Sequence, residues 1–347
     1  MVLRLNGKEV VIPEQLHQVE DAALRDFLYE WTNEQPDVAG HTSGSTGVPK
    51  EIRLRKEDMQ ASARITNKFF GIGQASVLLL CLSVSYIAGK MMVVRALEAG
   101  AELWCVQVSS HPLMELRNSG FYLAGGAEKK IDLAAMVPLQ AEETLKVAEE
   151  KKEFIRVRQL LIGGAPVSSR LEQQLQLLPV HCYATYGMTE TVSHVALRRM
   201  DGRSEYDAIG EVSFSSDCRG CLVIHAPHLT GRKFVTNDMV ELKDERHFRW
   251  LGRYDHVINS GGIKFFPEVI EGKIASCFSC RYFITSLPDE RLGERIVLVI
   301  EGKPQEDESL LMKKLKLFLV AYEMPKEILY LPHFRETFSG KIIRKII

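Results

Sequence analysis

Between Ser76 and Thr185 the chain repeats one pattern that few architectures accommodate: a short apolar run, a helical stretch, then another apolar run. Ser76–Leu82 is apolar almost throughout. It lacks the alternation of a strand with one face in water, so it reads as a strand covered on both faces. Ile87–Glu98 follows as a helix closed by Gly100, and Ala101–Val108 as the next strand. Ile131–Val137 (strand) leads to Ala141–Lys151 (helix). Gln159–Ile162 (strand), Ser168–Leu177 (helix) and Val180–Thr185 (strand) continue the rhythm. Strand and helix alternating in this way predict an α/β fold with mostly parallel layers.

The flanks extend this frame. Met1–Lys8 reads as a hairpin strand, and Glu20–Asn33 as an amphipathic helix with Leu24, Phe27, Leu28 and Trp31 at helical spacing. Lys50–Leu54 is a predicted strand, and Lys56–Phe70 a helix stopped by Gly71 and Gly73. From Tyr206 to Leu251 short alternating strands, with turns at Asp217, Gly231 and Lys243–Arg246, suggest a small β region. Gly252-Arg253-Tyr254-Asp255 then reads as a junction. Beyond it lies a small α+β portion: a strand-turn at Val257–Phe265, helices at Glu268–Ala275 and Ser309–Phe318, and strands at Arg281–Thr285 and Val297–Ile300. The expected division is therefore 1–252 and 253–347, and 347 residues suffice for one large and one small domain.

Composition narrows the partners. A net charge of −1 with 26% charged residues gives no general attraction to nucleic acid or an acidic membrane, so any anion site must be built locally. The longest apolar run, near Val77–Leu82, is too short to span a bilayer, and the N-terminus has no apolar signal core. The cytoplasm is the expected compartment. Seven cysteines include Cys218-x-x-Cys221 and Cys277-x-x-Cys280. The roughly 55-residue gap between these pairs is far longer than in compact zinc modules. Cys221–Ile224 reads as a buried strand without a metal, and the odd count points to reduced thiols.

The most chemically loaded stretch is His41-Thr42-Ser43-Gly44-Ser45-Thr46-Gly47-Val48-Pro49-Lys50. Glycines let successive backbone N–H groups point into one concavity, hydroxyls add donors, and the lysine supplies full positive charge. Such a loop suits a polyphosphate. It is not a Walker loop, because only two residues separate Gly44 from Gly47 and Lys50 follows a proline. Four further segments carry polar groups in suggestive places. Gly163-Gly164-Ala165-Pro166 ends an apolar strand, where α/β sheets line their ligand crevice. Tyr186-Gly187-Met188-Thr189-Glu190 follows another such strand. Asp238 offers the short carboxylate that can grip two vicinal hydroxyls. Near the C-terminus stands Ser339-Gly340-Lys341.

In this order the segments resemble the adenylate-forming, AMP-binding acyl-CoA synthetase superfamily. The resemblance covers residues 41–344, including Gly252–Asp255 and Gly261-Gly262 with Pro267-Glu268 downstream. It implies an ATP-dependent ligase that makes an acyl-adenylate and passes it to coenzyme A. By that likeness Thr42, Ser43, Gly44, Ser45, Thr46, Gly47 and Lys50 hold phosphates. Gly164, Ala165, Pro166, Tyr186 and Gly187 border the adenine, Thr189 contacts a phosphate, and Asp238 and Arg253 hold ribose. Glu190, with Thr46, binds Mg²⁺, a hard ion suited to oxygen ligands. Lys341 is the catalytic lysine, Asp255 the hinge of a mobile C-terminal domain, and Gly261, Gly262 and Lys264 line the coenzyme A path.

Departures from the pattern bear on the acid. The N-terminal region is much shorter than in most relatives, and Tyr86 stands where a gating histidine often lies. The helix after Tyr86 and the tail of the Tyr186 motif are similar to members whose acid keeps a second carboxylate, with Lys90, Arg95 and Ser193 placed to meet it. Another aryl- or acyl-CoA ligase, a free-standing adenylation enzyme loading a carrier protein, and a non-catalytic nucleotide-binding module are the alternatives. The expected partners are small molecules, with a homodimer left open.

Overall fold

A computed structural model of the protein describes residues 1–41, 51–121, 129–304, 306–336 and 342–344. The Thr42–Lys50 loop and Lys341 therefore lie outside the described residues. Thirteen strands form one mixed sheet. Its parallel centre runs in the order His181–Gly187, Gln159–Ile162, Leu133–Met136, Val77–Leu80, Glu102–Cys105 and Val2–Leu5. The expected α/β architecture is present, and strict alternation along these strands explains it. Leu78, Leu80, Leu133 and Leu161 pack into one core, while Val77, Leu79, Ala134, Leu160 and Ile162 pack into a second core on the opposite face. Each fully buried Leu or Val contributes on the order of 1.5–3 kcal/mol, so both faces must stay covered.

Helices supply the cover. Asp21 caps Ala22–Thr32 by accepting from the Leu24 N–H at 2.8 Å, and this helix buries Leu24, Phe27, Leu28 and Trp31. Lys56–Phe70 ends at Gly71, which takes a left-handed φ of 66°. Ile87–Ala99 is buried along most of its length; a Cβ on its Gly89 would meet the Ser83 carbonyl oxygen at 2.3 Å. The single helix expected at Ala141–Lys151 is two, Pro138–Lys146 and Ala148–Glu153, broken where Val147 turns extended.

One further expectation needs correction. Tyr186 and Gly187 lie within the strand His181–Gly187 rather than after it. The expected β region of Tyr206–Leu251 is present and is continuous with the large sheet: Glu205–Ala208, Ser213–Ser216, Cys221–Ala226, Arg232–Leu242 and His247–Arg253 extend it through His194–Arg199. Local pattern cannot tell a separate sheet from a continuation, because pairing at the junction is made by residues distant in sequence.

The chain beyond Arg253 forms a five-stranded sheet from Ile258–Ser260, Ile263–Phe265, Tyr282–Asp289, Gly293–Glu301 and Glu327–Leu331. Its core of Ile258, Ile270, Ile284, Leu298, Leu311 and Leu315 is separate from those of the large sheet. The short turn Tyr254–His256 links the two sheets. Where they meet, His256 Nδ1 lies 2.5 Å from Glu268 Oε1. A Cβ on Gly252 would also meet Glu268 Oε2 at 2.3 Å.

Candidate functional site

Three strands of the large sheet bring together residues that the sequence keeps apart. The Tyr186 hydroxyl donates to Asp238 Oδ2 at 2.7 Å, and the Trp250 indole N–H donates to Asp238 Oδ1 at 3.3 Å. Arg253 Nη1 lies 3.8 Å from the same carboxylate, while its Nη2 lies 3.2 Å from Asp255. A bulge makes this possible. Val240 pairs with Trp250, but Met239 pairs with Gly252 and Asp238 with Arg253, so one extra residue sits in the second strand. Directly opposed residues share a face, and without the bulge Arg253 would face the other side.

The Tyr186 ring sits edge-on to Tyr206 and Phe248, with centroids 5.8 and 5.0 Å away. Burial, and then the neighbouring Asp238 charge, push its phenol well above the usual range, so the hydroxyl remains a donor. Beside this group a cleft of about 430 Å³ is lined by Ile162, Ala165, Pro166, Thr185, Tyr206 and Trp250. Gly164, at φ 83°, shapes its rim, and Gly164, Ala165 and Pro166 are exposed. A Cβ on Gly163 would meet Thr185 Oγ1 at 2.1 Å.

After Gly187 the chain makes a tight turn, Thr189–Thr191. Thr191 is fully buried, and its hydroxyl oxygen accepts from the Met188 N–H at 3.0 Å. The same hydroxyl lies 3.0 Å from the Met188 carbonyl and 2.9 Å from that of Ser193. Val192, buried and β-branched, is held at φ 65°, a strain on the order of 1–3 kcal/mol. Thr191 thus pins a loop with exposed Glu190 on one side and Ser193 on the other.

Ser193 meets Arg95 across the sheet–helix boundary. Arg95 Nη2 donates to Ser193 Oγ at 2.6 Å, and Arg95 is only 2% exposed. Its Nε has no partner, and among the described residues no carboxylate pairs with it. Burial pushes its pKa down to about 10. Lys90, expected beside it, is engaged elsewhere: its Nζ lies 3.8 Å from Glu30 and 4.7 Å from the Phe27 ring centroid. Burial lowers the Lys90 pKa, and Glu30 opposes that shift. Tyr86 is 58% exposed at the start of the Ile87–Ala99 helix.

Gly261 and Gly262 occupy a two-residue hairpin between Ile258–Ser260 and Ile263–Phe265, with φ 60° and 80°. Both central residues of such a turn need positive φ, which accounts for the pair on conformational grounds alone. Lys264 is exposed on the next strand. Close to Lys341 the described chain is tied to the small sheet: Arg281 donates to Glu336, and Arg344 donates to Glu271 at 2.5 and 2.9 Å. Among the described residues no three His, Cys, Asp or Glu side chains group as a metal cage.

Sequence reading missed Trp250, Thr191 and His194. The His194 imidazole lies between Ser193 Oγ and Thr66 Oγ1, at 3.4 and 3.2 Å. Its place directly after the Tyr186 motif was the available signal. Trp250 had none, because its contact depends on the bulge.

These features belong to a nucleotide-binding class. Residues 7–219 match the AMP-binding enzyme family, and the chain is a member of it. Its relatives narrow the comparison further. The 2-succinylbenzoate–CoA ligase of Listeria monocytogenes is 24% identical over 92% of this chain and 71% of its own length. A solved acyl-CoA synthetase (AMP-forming)/AMP-acid ligase II-like protein from Dyadobacter fermentans is 34% identical, with a TM-score of 0.62. That match covers 95% of this chain and 96% of the other. O-succinylbenzoate coenzyme A synthetase from Bacillus subtilis, solved with ATP and magnesium ion, shares the fold at 19% identity and TM-score 0.74. It covers 89% of this chain and 70% of the other.

Proposed function

We propose that the protein is an acid–thiol ligase that activates 2-succinylbenzoate as its acyl-adenylate and transfers it to coenzyme A, a step of menaquinone synthesis. The observation that carries the reading is the convergence of Tyr186, Asp238 and Arg253 beside the cleft edged by Ala165 and Pro166. An aromatic ring at the carboxyl end of a parallel strand, with a carboxylate and a cation brought to it by two antiparallel strands of the same sheet, suits a nucleoside monophosphate. Asp238 and Arg253 would take the ribose hydroxyls, and Gly164, Ala165 and Pro166 would lie against the base.

The chemical difficulty is electrostatic: a carboxylate must approach the α-phosphate of a polyanion. Like charges 4 Å apart repel by about 4 kcal/mol at an effective dielectric of 20, so catalysis is mostly charge neutralisation and positioning. Lys50 and the Thr42–Gly47 loop would hold the outer phosphates, with Thr189 on a third contact. Glu190 fits magnesium, since an exposed single carboxylate can share that ion with phosphate oxygens and water. Bound there with Thr46, the ion would neutralise phosphate charge. Lys341 would meet the acid and the α-phosphate together.

The separate core of the small sheet supports a second domain, 253–347, turning about Asp255. That rotation would withdraw Lys341 and present Gly261, Gly262 and Lys264 to the thiol. The choice of acid draws on the relatives and on Arg95, a buried cation suited to a second carboxylate. Ser193 would share that contact, with Tyr86 toward the pocket mouth. The reaction is placed in the cytoplasm, and no described helix is long and apolar enough to cross a membrane.

Pyrophosphate release with 2-succinylbenzoate, benzoate or a fatty acid, each with and without coenzyme A, tests the reading. The expected result is coenzyme A-dependent turnover with 2-succinylbenzoate alone. Equal use of benzoate or the fatty acid would move the assignment to another acyl-CoA ligase. Adenylation without thioester formation would favour a carrier-loading enzyme, and no release with any acid a binding module.

A further inference from the structure

We infer that His194 determines acid specificity: acting through Ser193, it fixes the Arg95 guanidinium for a second carboxylate on the substrate. The inference rests on the role given to Arg95 above and extends it to a side chain that does not touch the acid.

The polar chain beneath Arg95 has only one consistent direction. Thr66 Oγ1 lies 3.1 Å from the Ser62 carbonyl oxygen, which can only accept, so the Thr66 proton is used there. Thr66 Oγ1 must then accept from His194 Nε2–H at 3.2 Å. That tautomer leaves Nδ1 with a lone pair, which accepts the Ser193 hydroxyl proton at 3.4 Å. Ser193 Oγ, its proton engaged, offers only lone pairs to Arg95 Nη2 at 2.6 Å.

The link from Ser193 to Nδ1 depends on an uncharged imidazole. Burial, and then the Arg95 charge, hold His194 well below the usual range. A protonated ring would turn Nδ1 from acceptor to donor and set a second cation beside the guanidinium. With Ser193 holding Nη2, Arg95 keeps one terminal edge anchored. Its Nε, buried without a partner, remains for a ligand. Asn67 Nδ2 steadies the backbone from below, donating to the Arg95 carbonyl at 2.9 Å. Each described contact of the imidazole is to a hydroxyl, so no nearby carboxylate neutralises Arg95 through it.

The test compares 2-succinylbenzoate with 4-oxo-4-phenylbutanoate, the same keto acid without the ring carboxylate. Steady-state kcat/KM for both acids and KM for ATP are measured for wild type, Arg95→Ala, His194→Leu, His194→Asn and Thr66→Val, with thermal melts alongside. Arg95→Ala is expected to abolish the preference for the diacid. His194→Leu should reduce that preference about tenfold, the weight of one charge-assisted hydrogen bond, through KM for the diacid and not for ATP. His194→Asn, whose amide oxygen can replace the Nδ1 lone pair, should restore most of it. A wild-type preference in His194→Leu, with Arg95→Ala having lost it, overturns the inference alone. A wild-type preference in Arg95→Ala overturns the role of Arg95, and the inference with it. If His194→Leu does not fold, Thr66→Val decides: it frees the ring to change tautomer, and an unchanged preference there also overturns the inference.

Discussion

Tyr186 and Asp238, 52 positions apart, are joined by a hydrogen bond of 2.7 Å from phenol to carboxylate. Trp250 holds the other carboxylate oxygen, so Asp238 is oriented before any ligand arrives. Tyr186→Phe should raise KM for ATP about tenfold, the weight of one neutral donor to a charged acceptor, on the order of 1.5 kcal/mol. Asp238→Ala should cost kcat/KM for ATP ten- to a hundredfold, near 1.5–3 kcal/mol. The double variant should fall short of the sum, because the two side chains share one bond. Strict additivity in the kinetic cycle would argue against the coupling.

Thr191 links the loop ends that carry Glu190 and Ser193. Thr191→Val keeps the shape but leaves the Met188 N–H without its acceptor, costing about 1–3 kcal/mol. The expected kinetic result is a rise in KM for both ATP and the acid, with Thr191→Ser restoring each. An effect on one substrate alone would show that the loop does not move as a unit.

Glycine substitutions should differ by what they strike. A Cβ on Gly187 meets the Ser193 carbonyl oxygen at 2.4 Å and His194 Cα at 2.7 Å, both backbone. On Gly163 the obstacle is the Thr185 hydroxyl, which can rotate away. Gly187→Ala should therefore lose about 1–3 kcal/mol or more in urea unfolding, and Gly163→Ala clearly less. The reverse order would contradict the close approach at Gly187.

Stability should fall on mild acidification. His194 is held well below its ordinary pKa of 6.5, by burial first and Arg95 second. The unfolded chain takes up a proton near pH 6.5 while the folded one does not, so stability is present above that pH and is lost as pH drops. One such group gives at most about 1.4 kcal/mol per pH unit. His228, lowered by burial, adds in the same direction. Urea midpoints at pH 7.5, 6.5 and 5.5 should decline for the wild type and decline less for His194→Asn.

Legibility in the sequence followed the range of the interaction. Lys56–Phe70 and Gln159–Ile162 were readable to the residue, because apolar spacing and a glycine stop act within one element. The Tyr186 motif and Asp238 were readable as chemistry. Burial of Arg95 was not, since a cation on a helix gives no sign of which face the sheet will cover. Lys90 and Arg95 looked equivalent until Glu30, sixty positions upstream of Lys90, took up the lysine, while among the described residues no carboxylate meets the arginine.

By itself the sequence determined the α/β alternation, the order of the nucleotide-binding segments and the identities of the polar groups, all set by covalent order and local periodicity. Tertiary structure alone decided that Arg253 faces Asp238, through one extra residue in a strand, and that His194, Ser193 and Arg95 form a single directed chain. Both depend on register and on contacts between distant elements. A shift of one residue reverses the face of every side chain that follows.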